Sequence, residues 1–216
     1  MKRFLLPFIA LITLFSCTNN KKDKPAGDPN LPVSPSALDT TLVTDSSWGP
    51  VTSSAAYRDL QTFFGAENVK DERICGPECI DSLNVTKVYA GTPKEIIVHW
   101  KDSAYHKQIG MLQSYQEGHP YHTGNGLKWG SPMNDLLRLN GKKITFAGFG
   151  WDYGGNIISF NGGLLDSSGV HFRLDIKQTD DNSLMGDSEF DTDMPVAKKA
   201  LDKIFIYELT LSFYKE

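Results

Sequence analysis

Three cysteines carry the most definite chemistry in this 216-residue chain. Cys17 closes the run Leu14-Phe15-Ser16-Cys17, with an aliphatic residue at −3 and a small one at −1, which is the arrangement of a lipobox. There the thiol accepts a diacylglyceryl group, and cleavage before the cysteine frees its amine for a further acyl chain. Two or more chains hold a protein stably at a membrane, whereas one is marginal. Cys75 and Cys79 lie in Ile74-Cys75-Gly76-Pro77-Glu78-Cys79. In an oxidising envelope compartment two leftover cysteines pair, and a Gly-Pro turn would bring them within disulfide range.

A redox dithiol is the sharper alternative for that pair, since Cys-Gly-Pro-Cys is a thioredoxin-type active site. Here the inserted Glu78 breaks the two-residue spacing and no βαβ pattern surrounds it. A structural loop staple between Cys75 and Cys79 is therefore the expectation.

Trp151, Asp152 and Tyr153 sit in Gly148-Phe149-Gly150-Trp151-Asp152-Tyr153-Gly154-Gly155. In an extended segment Trp151 and Tyr153 share a face and Asp152 points the other way. Two such aromatics can stack on a sugar ring or anchor a protein partner, and the glycines would let a ligand approach the backbone. The competing reading is a hairpin whose aromatics cap the core while its glycines supply turn dihedrals.

Other candidates are weaker. His119-Pro120-Tyr121-His122 has metal-ligand-like spacing, but Pro120 disfavours a helix and no third His or Cys lies nearby, so a solvated loop is expected. His99 sits in a strand beside Trp100, and His106 follows Tyr105; neither has a visible triad partner, because no Gly-x-Ser-x-Gly elbow exists. Asp180-Asp181 and the run Asp187-Ser188-Glu189-Phe190-Asp191-Thr192-Asp193 alternate carboxylates but lack the glycine and terminal glutamate of an EF-hand. They read as a solvated loop. Asp59 and Asp135 read as helix first-turn acids that oppose the dipole. No catalytic set, metal site or cofactor is expected.

The N-terminus decides where these residues work. Lys2 and Arg3 precede an uncharged apolar stretch, Phe4 to Phe15, of signal-peptide length. A transmembrane helix needs about 20 residues. Residues 1–16 are thus read as a lipoprotein signal, and residues 17–47 as the lipidated cysteine and a disordered tether. That tether is rich in Asn, Lys, Asp, Pro, Ser and Thr, with too little apolar surface to offset its ordering entropy. Residues 48–216 form the globular domain, roughly 170 residues and enough for one core. Without Lys2 and Arg3 the 22 Lys+Arg become 20 against 26 Asp+Glu, a net −6. This acidic balance argues against nucleic acid and against a second, electrostatic hold on anionic lipid.

Within the domain the pattern predicts an α+β fold: a twisted antiparallel sheet with short helices. Helices are predicted at residues 55–64, capped by Ser53 or Ser54 and stopped by Gly65, and at 132–139, capped by Ser131 and ended by Asn140-Gly141. Strands are predicted at 84–89, 95–100, 107–113, 144–149, 156–160, 170–177 and 204–214. Asn161-Gly162 reads as a hairpin turn between two of them. In the last strand Phe205, Tyr207, Leu209, Leu211 and Phe213 alternate on one face. Both helix segments place Asp-Leu before Gly at equal spacing (Asp59-Leu60 and Gly65; Asp135-Leu136 and Gly141), which suggests two copies of a helix-then-strands module. The alternative is two unrelated short helices.

Gly126-Leu127-Lys128-Trp129-Gly130-Ser131, Asp135-Leu136, Leu139-Asn140-Gly141-Lys142 and Gly148 to Gly155 together resemble a family of uncharacterised bacterial envelope lipoproteins. Gly186-Asp187 and Tyr207-Glu208-Leu209-Thr210-Leu211 look like the same family, and the resemblance spans most of residues 48–214. It implies no established activity. More distantly, the Gly-led turn and short helix look like the modules of SmpA/OmlA-type outer-membrane lipoproteins and β-lactamase-inhibitor-protein-like domains. That analogy of fold leans toward protein binding.

Two functions compete. One is a membrane-tethered binding module for an envelope protein or a glycan. The other is an envelope hydrolase drawing on His119, His122 and the acids of residues 187–193. Isolation of those candidates along the chain favours binding. Thr18 at +2 is not the aspartate of an inner-membrane retention signal, so the outer membrane is the expected location. Feeding cells a palmitate analogue should label the wild-type chain, and Cys17→Ala should carry no label.

Overall fold

The computed structural model describes residues 39–76, 79–102 and 104–214. Cys17, the signal and most of the tether lie outside the described residues. In chain order, β1 (Leu42–Val43), β2 (Ser47–Trp48) and β3 (Val51–Thr52) lead into α1 (Tyr57–Phe64), and a 3-10 turn follows. Next come β4 (Val69–Cys75), β5 (Ser82–Val88), β6 (Ile96–Trp100), β7 (Ile109–Ser114) and β8 (His122–Thr123). α2 (Met133–Asn140) precedes β9 (Thr145–Ala147), β10 (Ile157–Ser159), β11 (Val170–Ile176) and β12 (Glu189–Asp191). α3 (Pro195–Lys198) and β13 (Ile204–Ser212) close the chain. The fold is α+β, as expected, with three sheets that are mostly antiparallel.

The largest sheet has six antiparallel strands in the order β11-β13-β7-β6-β5-β4. Alternation sends Val88, Ile96, Val98, Leu112, Leu209 and Leu211 to one face, where they join a core that also holds Leu60 of α1 and Leu136 of α2. The sheet β3-β2-β1-β8 and the sheet β10-β9-β12 contribute Trp48 and Phe146 to the same core. Among the described residues no helix is long and apolar enough to cross a membrane.

The helices form for local reasons. In α1, Leu60 and Phe64 are one turn apart and both buried. Its N-cap is Ala56 and not a serine, because Asp59 Oδ2 accepts the Ala56 N–H at 2.9 Å. Pro132 caps α2, while Ser131 Oγ accepts the Lys128 N–H instead. Gly141 ends α2 in the left-handed region, as its position predicts. The likeness of the two helix segments does not continue into the strands. After α1 the chain runs the β4–β7 meander in one sheet; after α2 it enters a different sheet through β9 and β10.

Several expectations change in three dimensions. The domain begins earlier than Trp48: Val43 is buried, and β1 pairs antiparallel with β2 and parallel with β8. Residues 39–47 look polar alone but acquire partners that local composition does not show. Asn161-Gly162 does form a turn with positive φ at both residues, yet β10 pairs with β9 and not with β11, so no simple hairpin results. The acidic run is not merely a solvated loop, because Glu189–Asp191 is β12, paired with β9.

His119 departs furthest from the solvated loop expected of it. It is 3% exposed, and neither ring nitrogen has a hydrogen-bond partner among the described residues. Its ring lies 5.7 Å from that of Tyr121, which meets Trp48 edge to face at 4.9 Å. Burial lowers its pKa from 6.5 to about 4. The unfolded chain therefore binds the proton that the folded state resists. Stability present at pH 7 should decline as pH falls from about 6.5 towards 4. Melting curves across that window should show a shallower slope for His119→Phe.

Candidate functional site

The face of the six-stranded sheet opposite the core carries an open cleft of about 750 Å³. Its floor follows from strand alternation: His99 on β6, Met111 and Gln113 on β7, Arg173 on β11 and Glu208 on β13. Glu208 reaches this face through a β-bulge. Arg173 pairs with Glu208 and Leu174 with Ile206, so Tyr207 has no opposite residue. The expected single alternating face of this strand is thus divided. Leu209 and Leu211 point into the core, whereas Phe205 and Tyr207 lie on the outer face.

A chain of hydrogen bonds orders the floor. His99 Nε2 donates to Gln113 Oε1 at 3.3 Å, and Gln113 Nε2 donates to Glu208 Oε1 at 2.7 Å. The Thr210 hydroxyl donates to the same carboxylate oxygen at 2.9 Å. Burial holds the His99 pKa below its usual value, against the Gln113 bond that raises it, so its imidazole is neutral near pH 7. Burial also pushes up the phenols of Tyr115, beside Glu95, and Tyr207, beside Glu208, and both keep their protons.

Two loops form the rims. On one side the β4–β5 hairpin brings Ile74, Leu83 and the Cys75–Cys79 disulfide to the cleft, with the two Cα atoms 4.8 Å apart. The pairing agrees with the loop staple. On the other side stands the Gly-rich turn of residues 150–155. Phe149 enters the core, while Trp151 is 38% and Tyr153 44% exposed. The segment is a turn and not extended, so the two aromatics do not share a strand face; their rings instead meet edge to face at 5.4 Å. They do not cap the core.

Arg173 holds this rim in place. Its Nε donates to Gly154 O at 2.8 Å and a terminal nitrogen to Asp152 O at 2.7 Å. Trp151 Nε1 donates to Gly148 O at 2.9 Å. Gly155, at φ +75°, lies against the Leu174 backbone so closely that any Cβ would clash. Asp152 and Tyr153 thereby line the same cleft as Cys75 and Cys79, although more than seventy residues separate them.

The remaining candidates are not gathered. His122 Nε2 pairs with Asp39 at 3.3 Å. His106 is stacked against Trp100 at 4.9 Å and Tyr57 at 5.7 Å, with Nδ1 3.8 Å from Asp71. Asp191 pairs with Lys143 at 3.0 Å and Asp193 with Lys198 at 3.4 Å. Among the described residues neither His119, which has no hydrogen-bond partner at its ring, nor His122 is paired with an acid of residues 187–193. Among the described residues no cluster of three or more His, Cys, Asp or Glu could hold a metal. The floor residues Gln113, Arg173 and Glu208 escaped the sequence reading. Only the polar positions alternating with apolar ones in those strands hinted at them.

No protein-family model matches the chain, and no curated protein does. Among solved structures, the crystal structure of the uncharacterised protein YfeY from Escherichia coli is similar, with a TM-score of 0.49 and 12% identity over 80% of this chain and 99% of that one.

Replacing Arg173 with Leu removes both charged bonds to the turn. Stability should fall by about 1–3 kcal/mol in urea unfolding, with greater Trp151 mobility in fluorescence anisotropy. An unchanged anisotropy would show that other contacts hold the rim.

Proposed function

We propose that this chain is a lipid-tethered envelope protein whose domain binds a ligand in the cleft over the outer sheet face, without catalysing its conversion. One observation carries the reading. Two segments remote in sequence, the disulfide-stapled hairpin and the Trp151–Tyr153 turn, rim one open cleft over an ordered polar floor. Exposed aromatics beside a concave polar surface suit recognition, because they contribute large contact areas with few rotamers to freeze. The floor hydrogen bonds fix His99, Gln113 and Glu208 before any ligand arrives, which reduces the ordering cost of binding.

The tether and the anchor complete this reading. Cys17 would hold the chain in the membrane, with the outer membrane favoured by Thr18, and the tether would let the cleft reach an envelope protein or a glycan. In living cells, a photo-crosslinking residue at Tyr153 should yield a discrete adduct, whereas one at the exposed Leu164, outside the cleft, should not. Absence of any adduct at Tyr153 from folded protein would count decisively against a ligand in this cleft.

A further inference from the structure

The groove continues past Glu208. Because the bulge places Tyr207 and Glu208 on the same face, one residue lines each of two adjoining bays. Arg173 and Asp175, two apart on β11, are divided in the same way. The second bay measures about 530 Å³. Its wall is an aromatic corner: Trp129 and Phe205 meet edge to face, 5.9 Å apart at 69°, with Tyr207 beside them. Trp129 Nε1 is buried and donates to no acceptor among the described residues. A buried donor left unpaired is costly, and a small shift of the indole on binding would let a ligand oxygen relieve it.

The charges narrow the ligand class. Glu117, Asp175, Asp152 and Glu208 stand against Lys177 and Arg173 along the two bays, and Arg173 is already bonded to the 152–154 backbone. That balance disfavours a polyanion. The floor strands β6, β7 and β13 are paired on both edges, and the edge strand β11 is already bridged by Asn156 at Arg173, so little free backbone is left there for a peptide to extend the sheet. Aromatic faces suit the C–H faces of pyranose rings, and an indole N–H with carboxylates suits their hydroxyls.

We infer that the groove binds a neutral or amino-bearing glycan chain. One ring sits in the Trp129–Phe205–Tyr207 corner, and the chain runs past Glu208 towards Tyr153. The inference rests on the binding role proposed for the cleft and narrows its ligand.

The test uses the full chain in a detergent without a sugar headgroup, titrated with neutral tetramers of glucose and of N-acetylglucosamine and with a uronic-acid tetramer. A neutral tetramer should move the Trp129 indole N–H resonance, identified by its loss in Trp129→Phe, while the uronic-acid tetramer leaves it in place. Trp129→Phe keeps a ring but lacks the donor, and should weaken binding roughly tenfold. Tyr207→Ala should also weaken it roughly tenfold, with an unchanged melting temperature. No shift with either neutral tetramer at millimolar concentration, or an equal shift with the uronic-acid tetramer, overturns the glycan assignment. In that event a protein captured at Tyr153 leaves the binding role standing, and no capture there removes both.

Discussion

A strand can direct residues from two alternation frames to one face only where its register slips, and β13 slips at Tyr207. Before the slip, Ile204 and Ile206 enter the core while Phe205 and Tyr207 face outward; after it, Leu209 and Leu211 enter the core while Glu208 and Thr210 face outward. Without the bulge, one of the two halves would turn its leucines or isoleucines to solvent. The bulge also sets the polar floor, because it brings Glu208 opposite Arg173 and within reach of Gln113. Core and cleft are thus two results of one unpaired residue.

The rims depend on that floor. Arg173 stands across from Glu208 and holds the 152–154 backbone. The turn can approach β11 so closely because Gly155 has no Cβ, and Leu174 N donates to Gly155 O at 2.8 Å. Trp151 and Tyr153 are therefore exposed by construction, held outward by a backbone anchored beneath them. At the opposite rim the disulfide closes the β4–β5 hairpin, whose strands stay paired from Val69↔Val88 to Cys75↔Ser82.

Burial acts differently on the histidines. His99 finds Gln113 on the outer face and joins a network, whereas the enclosed His119 ring has no hydrogen-bond partner among the described residues and is held neutral by desolvation. Both were plain histidines in loops or strands when seen only as sequence. The element packed above each one made the difference.

Periodicity and caps are local, so the sequence by itself determined the α+β class, the positions of both main helices and five of the six strands that build the large sheet; β4, in which only Val69 is buried, has too weak an apolar alternation to be read. Hydrophobic alternation, Gly141 after α2 and the Cys75–Cys79 spacing each concern residues close enough to interact through their own backbone. Strand partners, the bulge and the meeting of the Cys75–Cys79 hairpin with the Trp151–Tyr153 turn belong to the tertiary structure alone. So do the entry of residues 39–47 into a sheet and the burial of His119. These features arise between segments far apart in the chain, and a one-residue change of register inverts every face it touches. Gln113, Arg173 and Glu208 consequently look like ordinary strand polar residues until β7, β11 and β13 lie side by side.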